Sequence, residues 1–149
     1  MKNPNSLLIL VIFICVDASS QINTVIDSII CNDRILIVEY PKVNRTNYVL
    51  YEEGFFKTIN CILDSVSITV HYGSMVNLPL TKLKDKVITS KLVSECEFNS
   101  IKGYQIIKRR RRYFREDYYF KHRVTIVFEN VDESKLKFYE NIMDSIRFL

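Results

Sequence analysis

Histidine and cysteine are the side chains most able to give a small chain covalent or metal chemistry, and here they are few. The histidines are His71 and His122, and the cysteines are Cys15, Cys31, Cys61 and Cys96. Neither histidine has a cysteine, a second histidine or an acidic residue at metal-ligand spacing. A Cys61–His71 dyad would require the two groups within hydrogen-bond reach, and no local signature announces such a pair. Three glycines could hardly build a phosphate-cradling loop or a dinucleotide fingerprint, and neither pattern is present. The sequence therefore assigns no catalytic residue, no metal ligand and no cofactor, and it points to binding in place of catalysis.

The stretch that stands out chemically runs from Lys108 to Arg123 (KRRRRYFREDYYFKHR), with eight Lys or Arg, five aromatics and two acids in sixteen residues. Arginine offers planar, multi-donor contacts to carboxylate or phosphate, and aromatic rings supply apolar anchors. The candidate binding residues are Arg109, Arg110, Arg111, Arg112, Tyr113, Phe114, Arg115, Tyr118, Tyr119, Lys121 and Arg123. The competing role is a solvated hairpin whose cations pair with Glu52, Glu53, Glu95 or Glu97.

The elements that must position this stretch follow from its flanks. Tyr104 to Phe114 and Tyr118 to Phe128 form a long hairpin about an apex at Arg115-Glu116. That register sets Arg110 opposite Lys121 and Lys108 opposite Arg123, and facing like charges destabilise a ladder. Strand side chains alternate, so two of the four consecutive arginines lie on each face. The hairpin is therefore expected to project beyond the packed sheet, with the core resuming at Ile106, Ile107, Val124 and Ile126.

Elsewhere, Ile22, Val25, Ile26, Ile29 and Ile30 recur at helical spacing and predict a short helix. Arg34 to Tyr40 reads as a strand, as do Tyr48 to Tyr51 and Phe55 to Leu63. Val66 to Tyr72 alternates, the mark of a strand with one face covered. Leu80, Leu83, Val87 and Ile88 predict a second short helix over 80–88. Asn130 and Glu133 resemble a capping box, opening a final helix striped by Leu136, Tyr139, Ile142, Met143 and Ile146. The expected class is α+β, an antiparallel sheet built from hairpins with flanking helices.

At the N-terminus a single lysine precedes ten apolar residues, Leu7 to Val16, and a small-residue exit at Ala18 and Ser20. This is the pattern of a secretory signal peptide, too short to span a bilayer as a helix. Residues 1–20 are read as that signal and 21–149 as one domain, exported to the periplasm or extracellular space. A cut before Cys15 instead would leave a lipid-anchored envelope protein. Removing residues 1–20 leaves the net charge of +4 unchanged and retains an odd three cysteines, of which Cys61 and Cys96 form the candidate disulfide.

Gly103-Tyr104-Gln105-Ile106-Ile107, the strand Arg123 to Phe128 and the terminal Phe138 to Phe148 together resemble the Mog1/PsbP-like α/β/α sandwich over about 45 residues. That resemblance implies a fold and carries over no activity. The expectation is an exported small bacterial binding protein that meets a protein partner with an acidic surface, in an inhibitor or immunity-type role. A peripheral envelope protein binding anionic membrane headgroups or polymer is the alternative, and an uncharacterised enzyme the third. Export sets nucleic acid aside as a partner.

Overall fold

Alternation governs residues 24–31, where helical spacing had suggested a helix. In the computed structural model, which describes residues 24–31, 34–42, 45–74, 80–94 and 98–149, Thr24–Cys31 is a strand, β1. Ile29 and Cys31 face the core, while Ile26 and Ile30, two of the five residues of the supposed helical stripe, are 65% and 71% exposed. Asp27 also turns inward, where it accepts from Tyr40 Oη at 2.8 Å and pairs with Lys57. A run dense in β-branched residues favours a strand, since Ile, Val and Thr are stiff about χ1 and pack well on a pleated surface. The expected export segment, with Cys15, lies outside the described residues.

β1 pairs antiparallel with β2 (Arg34–Pro41), and the short β10 (Arg147–Phe148) closes the other side of β2. The second sheet has seven strands: β3 (Arg45–Tyr51), β4 (Gly54–Cys61), β5 (Val66–Tyr72), β6 (Lys86–Val93), β7 (Phe98–Ile107), β8 (Arg110–Tyr119) and β9 (Val124–Val131). Their order is β3-β4-β5-β9-β8-β7-β6, antiparallel throughout. One α-helix, α1 (Glu133–Ser145), follows β9. With ten strands, one α-helix and one 3-10 turn among the described residues, the fold is nearer all-β than the expected α+β.

The core lies between the small sheet and α1 on one side and one face of the large sheet on the other. Leu36 and Val38 of β2 join Ile59, Ile68, Val70, Ile126 and Phe128 of the large sheet and Tyr139 and Met143 of α1. The helix begins at Asp132, whose carboxylate accepts from the Ser134 amide, so the cap is Asp132 and not Asn130. Among the described residues no helix is long and apolar enough to cross a membrane.

The expected helix over 80–88 is absent. Residues 80–85 carry no regular element, and β6 starts at Lys86. The amides of Leu80 and Thr81 donate to the Glu116 carboxylate at 3.2 and 2.7 Å. Those donors are satisfied by a side chain of the sheet and need no helical partner.

The hairpin apex also moves. Ile107 faces Arg110, so the turn is Lys108-Arg109, and Arg115 and Glu116 sit mid-strand. Tyr119 ends β8, and the 3-10 turn Phe120–His122 leads into β9. Both residues of the supposed apex are buried, at 6% and 3% exposure, because acids meet the cation there. Arg115 Nη2 lies 2.8 Å from Asp117 Oδ2 and its Nε donates to Oδ1 at 3.0 Å, while Nη1 reaches Asp144 of α1 at 2.6 Å. Ser100 of β7 donates to Asp117 at 2.6 Å.

Removing one partner of a buried ion pair strands the other charge away from water. Arg115→Ala should therefore lower unfolding free energy by about 3 kcal/mol, read from urea denaturation. Arg111→Ala, at an exposed position, should stay within about 0.5 kcal/mol of the parent; equal effects would contradict this placement of the two arginines.

Candidate functional site

The basic segment is divided by the sheet into a free tip and an anchored stem. Pairing of β7 with β6 starts at Gln105, and pairing of β8 with β9 stops at Tyr113. Residues 106–112 thus extend past both neighbouring strands, which is where the projection lies. Lys108 and Arg109 form the two-residue turn with φ of 48° and 64°. Positive φ at both positions is the type I′ geometry that matches strand twist, normally supplied by Asn-Gly. Lysine and arginine bear a steric cost there. Backbone strain held at exposed cations is a feature of recognition sites more than of packing.

Four cations occupy this tip. Lys108, Arg109, Arg110 and Arg111 are exposed, and among the described residues the first three have no ion-pair partner. Arg111 lies over the Tyr104 ring at 4.9 Å. Arg112 sits at the base, 3.3 Å from Asp132, the helix cap. A cleft of about 480 Å³ opens beside them, lined by Ser65, Ile107, Lys108, Arg110, Arg112 and Asn130. Its far wall is fixed where Asn130 Nδ2 donates to the Ser65 carbonyl at 2.8 Å. Ser65 and Asn130 also carry positive φ, 53° and 66°. Neither was singled out as a binding residue in the sequence; the β-bulge that presents Asn130 has no local marker.

The remaining predicted binding residues lie elsewhere. Tyr113 is half-buried with its ring 5.9 Å from Tyr104. Phe114 is buried, with Lys86 Nζ 4.6 Å above its ring. Arg115 belongs to the core pair, Tyr118 packs edge-on against Phe120 at 4.5 Å, and Tyr119 against Phe148 at 5.1 Å. Lys121 and Arg123 are exposed at the opposite end of β8, roughly 30 Å from the turn for a ten-residue strand. The expected facing of Lys108 with Arg123 and Arg110 with Lys121 therefore does not occur. Glu52 and Glu53 form the β3–β4 turn, and Glu95 and Glu97 lie outside the described residues; among the described residues Asp132 pairs with Arg112, and Glu133 lies close enough for its charge to act on Arg111.

Cys61 is a buried free thiol in the core; Cys96 lies outside the described residues. Burial likewise pushes the Cys31 thiol up to about 11. Among the described residues no three of His, Cys, Asp or Glu gather as metal ligands would.

His71 stands on the face of β5 turned away from the core, yet it is 1% exposed. Phe56 lies against it at 4.3 Å and Tyr51 stacks in parallel at 5.9 Å. Tyr51 Oη donates to the Tyr72 carbonyl at 2.9 Å and lies 2.6 Å from His71 Nε2. With its one proton committed to the carbonyl, the hydroxyl accepts from Nε2–H. The arrangement orients a neutral imidazole between rings, on the face of the sheet opposite Cys61.

No protein-family model matches the chain, and neither a curated protein nor a solved structure matches it. Known proteins thus bear neither way on the Mog1/PsbP resemblance.

Burial lowers the His71 pKa from 6.5 to about 4. The unfolded chain binds a proton that the folded chain refuses between those values, so stability is full above pH 6.5 and falls as pH drops towards 4. The loss amounts to up to about 3 kcal/mol. NMR titration should show the His71 imidazole neutral at pH 5.5; titration near 6.5 would contradict its enclosure.

Proposed function

We propose that this chain is a non-catalytic binding protein that recognises an acidic protein surface through the β7–β8 tip. The observation that carries this is the placement of four exposed cations, two in a strained two-residue turn and two at the start of β8, on a tip projecting past both neighbouring strands. Arg110 and Arg112 extend the surface along one face of β8 and Arg111 along the other, so an approaching carboxylate meets guanidinium forks from both sides of the ribbon. Ile107, 37% exposed, gives the cleft an apolar floor. Acidic side chains with apolar neighbours fit that combination better than isolated ions, since an interface needs an apolar anchor within its charged rim.

Strain and charge separate in one experiment. Replacing Lys108-Arg109 by Asn-Gly relieves the positive-φ cost and should stabilise the fold by about 1 kcal/mol. The same change removes two cations that would pair with the peptide, each such exposed pair worth up to about 1 kcal/mol, and should weaken binding of a labelled Glu-rich peptide about tenfold. Fluorescence anisotropy across a salt series checks it, and the parent's affinity should fall as salt rises. A stabilised variant with undiminished peptide affinity would overturn the tip's role. Binding to phosphatidylglycerol vesicles without binding to the peptide would replace the acidic protein with a headgroup surface.

A further inference from the structure

The two outer strands of the large sheet differ in how they meet solvent. β6 carries Lys86 and Lys91, and its register with β7 shifts between Ile88 and Ser90. Lysines and bulges are the usual devices that keep an edge from pairing. β3 has neither. It contains no lysine and no proline, its register with β4 runs unbroken from Arg45/Asn60 to Tyr51/Gly54, and every residue but Tyr51 is exposed. Tyr48, Val49 and Leu50 are 51%, 51% and 71% exposed. Among the described residues nothing pairs with its outer side.

We propose that a second copy of this chain docks on the outer edge of β3, antiparallel, with a two-fold axis at Tyr48. The two-residue loop Glu52-Glu53 makes Tyr51 and Gly54 the closing hydrogen-bonded pair of the β3–β4 hairpin. Pairs alternate from there, so Tyr51, Val49, Asn47 and Arg45 direct their amides and carbonyls to β4, and Leu50, Tyr48 and Thr46 direct theirs outward. A two-fold axis at Tyr48 sets Tyr48 against its own copy and Leu50 against Thr46 of the second copy. All three outward-facing residues are then satisfied by the same three in the other copy, in an isologous interface.

The charges agree with this occupant. β3 has one charged residue, Arg45, and the two-fold sets it opposite Tyr51 of the second copy, so no like charges meet across the seam. The cationic tips do not approach either. β3 and β8 are separated by three strands in the sheet order, which puts the two tips roughly 40 Å apart at the usual strand spacing. That is several times the screening length of about 8 Å in physiological salt. The dimer would carry two tips at its outer ends, suited to a repeated or two-sited acidic partner.

Sedimentation equilibrium of the purified chain at about 100 µM tests the pairing, since a short strand–strand interface belongs among the small, weak classes. The parent should sediment at twice its chain mass. Tyr48→Lys and Tyr48→Glu should each sediment as monomers with the parent's circular dichroism, because like charges would face across the axis. An equimolar mixture of the two should regain the dimer mass, an outcome that a merely misfolded variant cannot produce. A monomeric parent, dimers of both single variants, or a mixture that stays monomeric would each overturn the proposal. None of these outcomes depends on the tip, so they are distinct from the peptide-binding result.

Discussion

Arg115 and Asp117 stand two residues apart on the core face of β8, where one guanidinium pairs with a carboxylate that water does not reach. β8 lies between β9 and β7 in the middle of the chain's larger sheet, and the pair ties that strand to two other elements. Ser100 brings β7 to the same carboxylate, and Asp144 brings the last turn of α1 to the same arginine. That hydrogen bond holds the Asp144 carboxyl below its ordinary range. On the opposite face the neighbouring Glu116 gathers the amides of Leu80 and Thr81, fixing the connector against the sheet. Three consecutive charged residues thus fasten both faces of one strand. Such a network is favourable only when every member is paired, and its failure would leave charges in a medium that cannot solvate them.

The tip depends on this arrangement. With the inner half of β8 immobilised, the outer half can carry a dense run of cations that would otherwise repel one another and fray the strand. Lys86 is held under Phe114 and beside Glu129, and Lys102 reaches Glu140 on α1 at 3.0 Å, so the cations near the stem have partners. Among the described residues Lys108 and Arg109, at the turn, have no ion-pair partner. The same composition that reads as one basic arm in the sequence is two structures with opposite relations to water.

Much of the β-structure was readable because its physics is local. The alternation of Val66 to Tyr72 gave β5, and the apolar stripe through Tyr139, Ile142 and Met143 gave α1. The failures share a different cause. Ile26 and Ile30 fit a helical period only if every apolar residue is assumed to face inward, and here both face out. The 80–88 segment loses its helix to a carboxylate 35 residues downstream in the chain, a partner no local pattern reveals. The hairpin apex was misplaced because the true turn lacks Gly, Asn and Pro, whereas Arg115-Glu116 has the polarity expected of a loop. The spacing did hold one clue. Tyr113, Arg115, Asp117 and Tyr119 share a face, so a cation and an acid stand side by side between two rings. The projecting tip was anticipated in kind but misplaced, since Lys121 and Arg123 belong to the other end of β8, while Ile106 and Ile107, expected to rejoin the core, are 60% and 37% exposed within the projection.

Arg115 to Asp117 form the fixed interior of the sheet, while Lys108-Arg109 form its free turn. Residue-resolved amide hydrogen exchange tests it most directly. The amides of Arg115, Glu116 and Asp117 should exchange only through global opening, slowed on the order of ten-thousand-fold or more, while those of Lys108 and Arg109 exchange within seconds. Rapid exchange at Arg115 and Glu116, with protection at Lys108 and Arg109, would return the apex to the acidic pair and contradict the account.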